Sequence, residues 1–196
     1  MPNAADYQAR IETCGQEELR QLWQTIQDRN TVPDWSPGKA FEYFILRAFQ
    51  LEGADVTYPY AVQLRDMTSQ YEFTNENQTI EQIDGVVYCD GLTCLIEAKD
   101  QTESLNVEPI AKMRNQLLRR HASTIGVVFS RSGFTPPASI LAQYLSPQMV
   151  LLWNGSEITY ALEQRCMRQS LVKKYRICIE KGKPDYDPRP EEAKTL

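Results

Sequence analysis

The tightest constraint on this chain is a turn. Two β-rich runs, 82–88 and 93–98, flank the dipeptide Asp90-Gly91, and Asp-Gly favours the positive φ angles that a two-residue hairpin loop requires. A loop of that length makes Cys89 face Leu92 and fixes the register of the whole ladder. Asp84 then lies directly opposite Glu97, with Cβ atoms about 4.5–5.5 Å apart, and like charges so placed destabilise a sheet. Lys99 stands two residues past Glu97, so the strand period returns it to the same face. A divalent cation would supply the remaining positive charge: two carboxylates beside an ammonium form a hard-oxygen site suited to Mg²⁺ or Mn²⁺ and to phosphate chemistry. A second reading stays open on spacing, with Asp84 a strand-end acid and Glu97 and Lys99 an exposed same-face ion pair. The apolar neighbours Val86, Val87, Leu95 and Ile96 favour a strand pair covered on both faces, where charges need partners. Cys89 and Cys94 point to the opposite face as small core residues. With a single His in the chain, a zinc site has poor support.

Around the hairpin, helical and strand patterns alternate. Leu19, Leu22, Trp23 and Ile26 form one apolar face in a helix or helix pair over 6–28, broken near Gly15. Ser36-Pro37 predicts a helix start, because Ser caps and Pro suits the first helical position, and the helix should run to about Glu52 and stop at Gly53. An extended stretch follows over 55–64, then a polar excursion over 65–78 in which Tyr71 and Phe73 suit a short strand. Helix is expected over 109–121 and 136–145, buried strand over 124–129 and 149–153, and one long basic helical region over 156–179. The tail from residue 184, rich in Pro and charge, reads as disordered. Strands alternating with helices predict an α/β fold in which helices flank a mixed central sheet. The expected division is a helical extension at 1–35, a core at 36–155, a basic helical region at 156–183 and the tail at 184–196.

Composition limits the setting. A net charge of -5 excludes a surface coated in basic residues for indiscriminate nucleic-acid binding, although a local basic cleft remains open. No stretch is long and apolar enough for a membrane span, and the opening residues lack the basic start and apolar run of a signal peptide. Five scattered cysteines suit reduced thiols. The chain is therefore expected in the cytoplasm, away from membranes and without a small-molecule organic cofactor.

Ile83-Asp84-Gly85-Val86-Val87 followed by Glu97-Ala98-Lys99 resembles the PD-(D/E)XK nuclease signature of the restriction-endonuclease-like fold, with Ile83 standing where the signature's name has Pro. The context agrees. A preceding helix contains Gly38-Lys39-Ala40-Phe41-Glu42, and a later helix carries Gln116. Then come Gly126-Val127-Val128-Phe129-Ser130, Gly133-Phe134-Thr135 and Val150-Leu151-Leu152-Trp153. That order is similar to Mrr-type restriction endonuclease domains over 36–153. The resemblance implies a metal-dependent DNA endonuclease in which Asp84, Glu97 and Glu42 hold Mg²⁺ or Mn²⁺. Lys99 would act on the nucleophile or the phosphoryl oxygens, and Gln116 would line the site. It further implies a 5′-phosphate product and a homodimer if both strands are cut. A Holliday-junction resolvase or repair nuclease, and a non-catalytic DNA-binding or interaction domain on the same fold, are the rival readings.

Glu42 draws attention on physical grounds as well. Ile45, Leu46 and Phe49 place it on or beside the buried stripe of its helix, where a carboxylate needs a cation or donor; Lys39 or Arg47 would serve a purely structural pairing. The basic residues Lys112, Arg114, Arg119 and Arg120 share no one helical face, so their ordinary role is solvation, with Arg114 the one assigned to nucleic acid. The polar turn with Ser130 and Arg131 follows a buried strand and suits phosphate contacts, which Lys173 and Lys174 would extend. Most aromatics fall on apolar helix faces or strands; Tyr58 and Tyr60 are the expected exposed pair.

Overall fold

The Asp90-Gly91 turn closes as its chemistry demands. In this computed structural model, which describes residues 3–29, 32–63 and 78–194, Asp90 and Gly91 take φ of 51° and 78°. Strands β4 (Gly85–Cys89) and β5 (Leu92–Lys99) pair antiparallel, with Cys89 facing Leu92 and Gly85 facing Ile96. The turn is tied down from outside. Arg168 donates to both Asp90 carboxylate oxygens at 2.9 and 3.1 Å, and Glu52 accepts from the backbone N–H groups of Met167 and Arg168.

Strand β5 is the middle of a five-stranded sheet in the order β1-β4-β5-β6-β7, with β1 at Asp55–Thr57, β6 at Thr124–Ser130 and β7 at Val150–Trp153. The β1/β4 and β4/β5 pairs are antiparallel, and the β5/β6 and β6/β7 pairs are parallel. This is the mixed sheet expected from the strand and helix order. Alternate side chains divide into two cores. Val87, Cys94, Ile96, Ala98, Phe129 and Trp153 pack on one face, and Val86, Leu95, Val128, Val150 and Leu152 on the other. The first face is covered by helices α1 (Ala4–Glu12), α2 (Gln16–Gln27), α3 (Lys39–Leu51), α6 (Gly155–Glu163) and α7 (Met167–Lys181). The second is covered by α4 (Glu108–Leu117) and α5 (Pro136–Gln143).

Helix α3 is buried on nearly every side, from Ala40 to Phe49, because α1 and α2 cover the face turned away from the sheet. Trp23 of α2 stacks on Phe41 and Phe44 with ring centroids 5.7 and 5.2 Å apart, and Phe49 meets Phe129 and Trp153 edge-on. The helix begins at Lys39 and not at the expected Ser36-Pro37. Gly38 takes a left-handed φ of 79°, which no helical residue can continue through. The Ser36 hydroxyl bonds the Tyr7 phenol at 2.7 Å instead of capping.

Three further expectations change. The run 82–88 is divided: β3 (Thr79–Ile83) pairs with β2 (Tyr60–Gln63) in a separate two-stranded sheet, and the chain re-enters the main sheet at Gly85. The single basic helix over 156–179 is two helices, parted where Arg165 adopts a positive φ of 54°. Residues 184–194, in which composition predicts disorder, are held on the fold. Leu152 N–H donates to Pro184 O at 3.0 Å, Lys173 Nζ to Pro188 O at 2.8 Å and Lys174 Nζ to Tyr186 O at 2.6 Å. The expected excursion with Tyr71 and Phe73 lies outside the described residues. No helix among the described residues is long and apolar enough to cross a membrane.

Gly85 makes the change of sheet feasible. Its φ is +152°, and a Cβ there would lie 2.6 Å from Leu46 Cδ2 and 3.0 Å from the Thr57 carbonyl oxygen. Gly85→Ala is expected to destabilise the fold by roughly 1–3 kcal/mol through strain and this clash. Urea unfolding of both proteins checks it; an unchanged midpoint would refute the role given to this glycine.

Candidate active site

Asp84 sits at the joint between β3 and β4, one position beyond the Gly85 and Ile96 pair, so the hairpin register places it beside Glu97. Its Oδ2 accepts from the Ala98 backbone N–H at 3.0 Å. Lys99 lies on the same face. Its Nζ contacts Glu97 Oε1 and stands 3.7 Å from Asp84 Oδ2. The three side chains proposed from spacing therefore meet, and both carboxylates are buried, with Glu97 fully inaccessible and Asp84 7% exposed. An exposed surface ion pair is excluded.

A second ammonium completes the cluster. Lys112, on the first turns of α4, donates to both Glu97 oxygens at 2.9 and 2.7 Å. By spacing alone this lysine reads as solvated, and the correction has a simple cause: Ile110, Met113 and Leu117 bury the neighbouring stripe of α4 against the sheet. The helix border is thereby carried over the end of β5. Arg119 and Arg120, also read as solvated, pair with the buried Glu81 carboxylate at 2.8 and 2.7 Å, tying α4 to β3.

Glu42 reaches the cluster from the other side of the sheet. It accepts from Lys39 Nζ at 2.6 Å, the structural pairing foreseen for it. It also feels the charge on Asp84. Burial, then repulsion from Asp84, raises the Glu42 pKa above the usual carboxylate value. Asp84 is raised as well, by burial and then by Glu97. For Lys99, burial pulls downward, but attraction to Asp84 and Glu97 outweighs it and lifts the pKa above the ordinary lysine value. Among the described residues no three acidic, Cys or His side chains gather closely enough to hold a metal. Asp84, Glu97 and Glu42 are thus near one another in charge but not assembled as a three-ligand set.

Two cavities meet at this cluster. A polar one of 170 Å³ is lined by Glu97, Lys99, Gln101, Asn106, Glu108 and Lys112. The other, of 410 Å³, runs from Asp84 and Lys39 between α1, α3 and β2.

The remaining expected site residues separate into internal and accessible groups. Gln116 is buried one helical turn beyond Lys112, and its amide donates to the Gln82 carbonyl at 3.2 Å. Lys174, proposed for phosphate contact, is wholly buried: it pairs with Glu157 and lies 5.5 Å over the Trp153 ring. No phosphate can reach it. Ser130 is likewise fully buried and donates to Gly133 O at 2.8 Å, so its hydroxyl is engaged in the turn. Lys173 is spent partly on the tail carbonyl of Pro188. Arg131 contacts Asp100 just past β5 and donates to Gln101 O, which keeps its guanidinium at the site's edge. Arg114 is exposed on α4. Tyr58 is half-buried and stacks on Tyr43; Tyr60 remains accessible at 39%.

Comparison with known proteins agrees with the geometry. The chain resembles the small subunit (R.BspD6I2) of the heterodimeric restriction endonuclease R.BspD6I with a TM-score of 0.52 at 12% identity, over 91% of this chain and 94% of that one. It is also similar to the protein of unknown function AF1548, with a TM-score of 0.46 at 16% identity, over 72% of this chain and 76% of that one. At such identities the first likeness establishes the fold. No curated protein gives a match. Residues 34–162 match the Mrr_cat family model, described as a restriction endonuclease. That match spans well over half of the chain and contains Glu42, Asp84, Glu97, Lys99 and Lys112, so the chain belongs to this restriction endonuclease family.

Proposed function

We propose that the protein is a metal-dependent endonuclease that hydrolyses DNA phosphodiester bonds, with Asp84, Glu97 and Lys99 as its catalytic core. The observation that carries this reading is the burial of two carboxylates against one another with Lys99 between them. The chemistry of the donor set fits a hard divalent cation: Asp84 and Glu97 are adjacent carboxylates whose burial and mutual repulsion raise the Asp84 pKa, and Mg²⁺ or Mn²⁺ would relieve that repulsion by taking the place of the lysine ammoniums that now pair with them. Asp84 and Glu97 would hold the ion, and Glu42 would add negative charge from α3. When bound, the ion supplies Lewis acidity to the phosphoryl oxygens and lowers the pKa of attacking water.

The protein's own groups do the rest. Lys99 orients the attacking water or stabilises charge gathering on the phosphoryl oxygens. Lys112 neutralises Glu97 in the ion's absence and, once an ion takes that carboxylate, becomes a cation free to meet phosphate. Gln116 holds the Asp84 strand joint through the Gln82 carbonyl. Arg114 stands on accessible surface where backbone phosphates would pass, while Arg131, its side chain largely buried, braces Asp100 and Gln101 just past β5. Cutting both strands of a duplex requires two such centres, which a homodimer provides.

Incubation with linear, methylated and branched DNA, with and without Mg²⁺ or Mn²⁺, tests the proposal. Metal-dependent cleavage is expected, and Asp84→Asn and Lys99→Ala should each lower the rate by about 10²-fold or more. Cleavage that ignores the metal, or that survives both substitutions, would overturn it. A marked preference for branched DNA would move the assignment to a junction nuclease on the same site.

The cluster's own electrostatics supply an independent test. The folded pKa values of Asp84 and Glu42 lie above their ordinary 3.8 and 4.5, so the folded state binds more protons than the unfolded one between those values and the raised ones. Their contribution to stability is therefore fully present below the ordinary values and is lost as pH rises through the folded ones. In chelator, Asp84→Asn should melt higher than the parent protein at neutral pH, with the gap closing toward about pH 4. Thermal melts across this range check both sign and window.

A further inference from the structure

We propose that the 410 Å³ cavity between α1, α3 and β2 receives one unpaired nucleobase of the DNA whose phosphate lies at Asp84. The inference rests on the nuclease reading for its placement and extends it to substrate class. The cavity is walled by Tyr7, Tyr43 and Tyr60 with Pro59 and Ala61, and its polar groups are Ser36, Lys39, Gln82 and Asp84. That combination, a mainly apolar and aromatic wall with a few fixed polar groups, is what small planar ligands require. The volume falls within the usual range of about 300–1,000 Å³.

Position decides the occupant. Tyr60 pairs with Ile83 in the β2/β3 register, so it stands one residue from Asp84 along the paired strand. Lys39 lines the cavity while its Nζ holds Glu42. A phosphodiester seated at Asp84 carries its own base one sugar away, and Asp84 itself lines the cavity together with Tyr60. The smaller cavity on the other side of the cluster is polar and lined by Glu97, Lys99 and Lys112. Its size and charge suit the phosphate and the ion, not a base.

A paired base cannot enter. Its faces are covered by neighbours in the stack, so contact with an aromatic wall requires a nucleotide that is single-stranded, mismatched or turned out of the helix, and the unstacking cost is least where pairing is already broken. Tyr60 is the wall residue free to act as the stacking surface, being 39% exposed. Tyr7 and Tyr43 are buried and engaged, Tyr7 with Ser36 and Tyr43 with the Ala4 carbonyl. Tyr60, one of the pair expected from its position to be exposed, thus has a use next to the carboxylate cluster.

The test compares fluorescein-labelled duplexes of equal length, one fully paired and one with a single mismatch, by anisotropy with Ca²⁺ in place of Mg²⁺, so that an ion seats the phosphate between the carboxylates while cleavage is suppressed. Both carry the same phosphates, so any difference in affinity reports base capture and not charge. The full-length protein should bind the mismatched duplex about tenfold more tightly, the worth of one stacked base. Tyr60→Ala, which removes the stacking face, and Ala61→Trp, which fills the cavity, should each abolish that preference. Tyr60→Phe should keep it, since the ring remains. Tyr60 and Ala61 lie on an accessible strand outside both cores, and circular dichroism confirms the fold of each variant. Equal affinity for the two duplexes, or a preference that survives both disruptive substitutions, overturns the pocket. The metal-dependent cleavage assay judges the nuclease reading separately, because a protein that cuts paired DNA without mismatch preference keeps the active site and loses only this inference.

Discussion

Burying two carboxylates side by side is costly unless cations accompany them, and the fold around β4 and β5 is arranged to keep that cost tolerable. Desolvation disfavours each charge and proximity disfavours the pair. Lys99 supplies one ammonium from the same strand as Glu97, and Lys112 supplies another from the helix packed over it. Without the kink at Gly85, Asp84 would continue along one sheet. With it, the residue stands at the joint of two sheets, where its carboxylate can face both Glu97 and the cavity beside Tyr60. The surrounding packing therefore holds in place an unfavourable electrostatic arrangement, which apolar burial on both sides of the sheet is able to support.

How far this was readable from sequence depended on the range of the interaction. The Asp84 and Glu97 juxtaposition follows from a two-residue turn and a period of two, both local, and the observed register agrees residue for residue along the paired strand. Glu42 was partly readable, because a carboxylate amid Ile45, Leu46 and Phe49 must find a partner, and Lys39 is one turn away. Lys112 was not. Nothing in the α4 sequence says which side of the helix border will overhang Glu97, since that depends on how Met113 and Leu117 seat against β6. Its cationic neighbours Arg119 and Arg120 were missed for the same reason: their partner, Glu81, lies on a strand far away in sequence.

The errors at the C-terminal end share a cause with one another. Basic residues on α7 read as surface because lysine is rarely buried without a partner, and Lys174 has partners that no local pattern reveals. Glu157 comes from α6, the Tyr186 carbonyl from the tail and the Trp153 ring from β7. The tail in turn reads as disordered because it is rich in Pro and charge, yet it is held by giving carbonyl groups to the buried Lys174 and the exposed Lys173. Each segment is misread when taken by itself, and each supplies what the other lacks.

This distant ion pair differs instructively from the one at Asp84. Glu157 caps the start of α6 through the Asn154 backbone N–H at 2.7 Å while it binds Lys174, so its charge is met by an ammonium and a helix N-terminus together. It is a closed arrangement, with both side chains essentially inaccessible. At the hairpin, by contrast, Lys99 and Lys112 keep 29% and 42% of their side-chain surface exposed, and two cavities open onto the carboxylates they hold. The same physical problem is solved once by sealing the charges in and once by leaving the cations at an accessible rim. Only the second solution lets a ligand compete for the carboxylates, and that accessibility, more than burial or charge taken singly, is what favours the hairpin cluster over the sealed pair as the proposed reactive site.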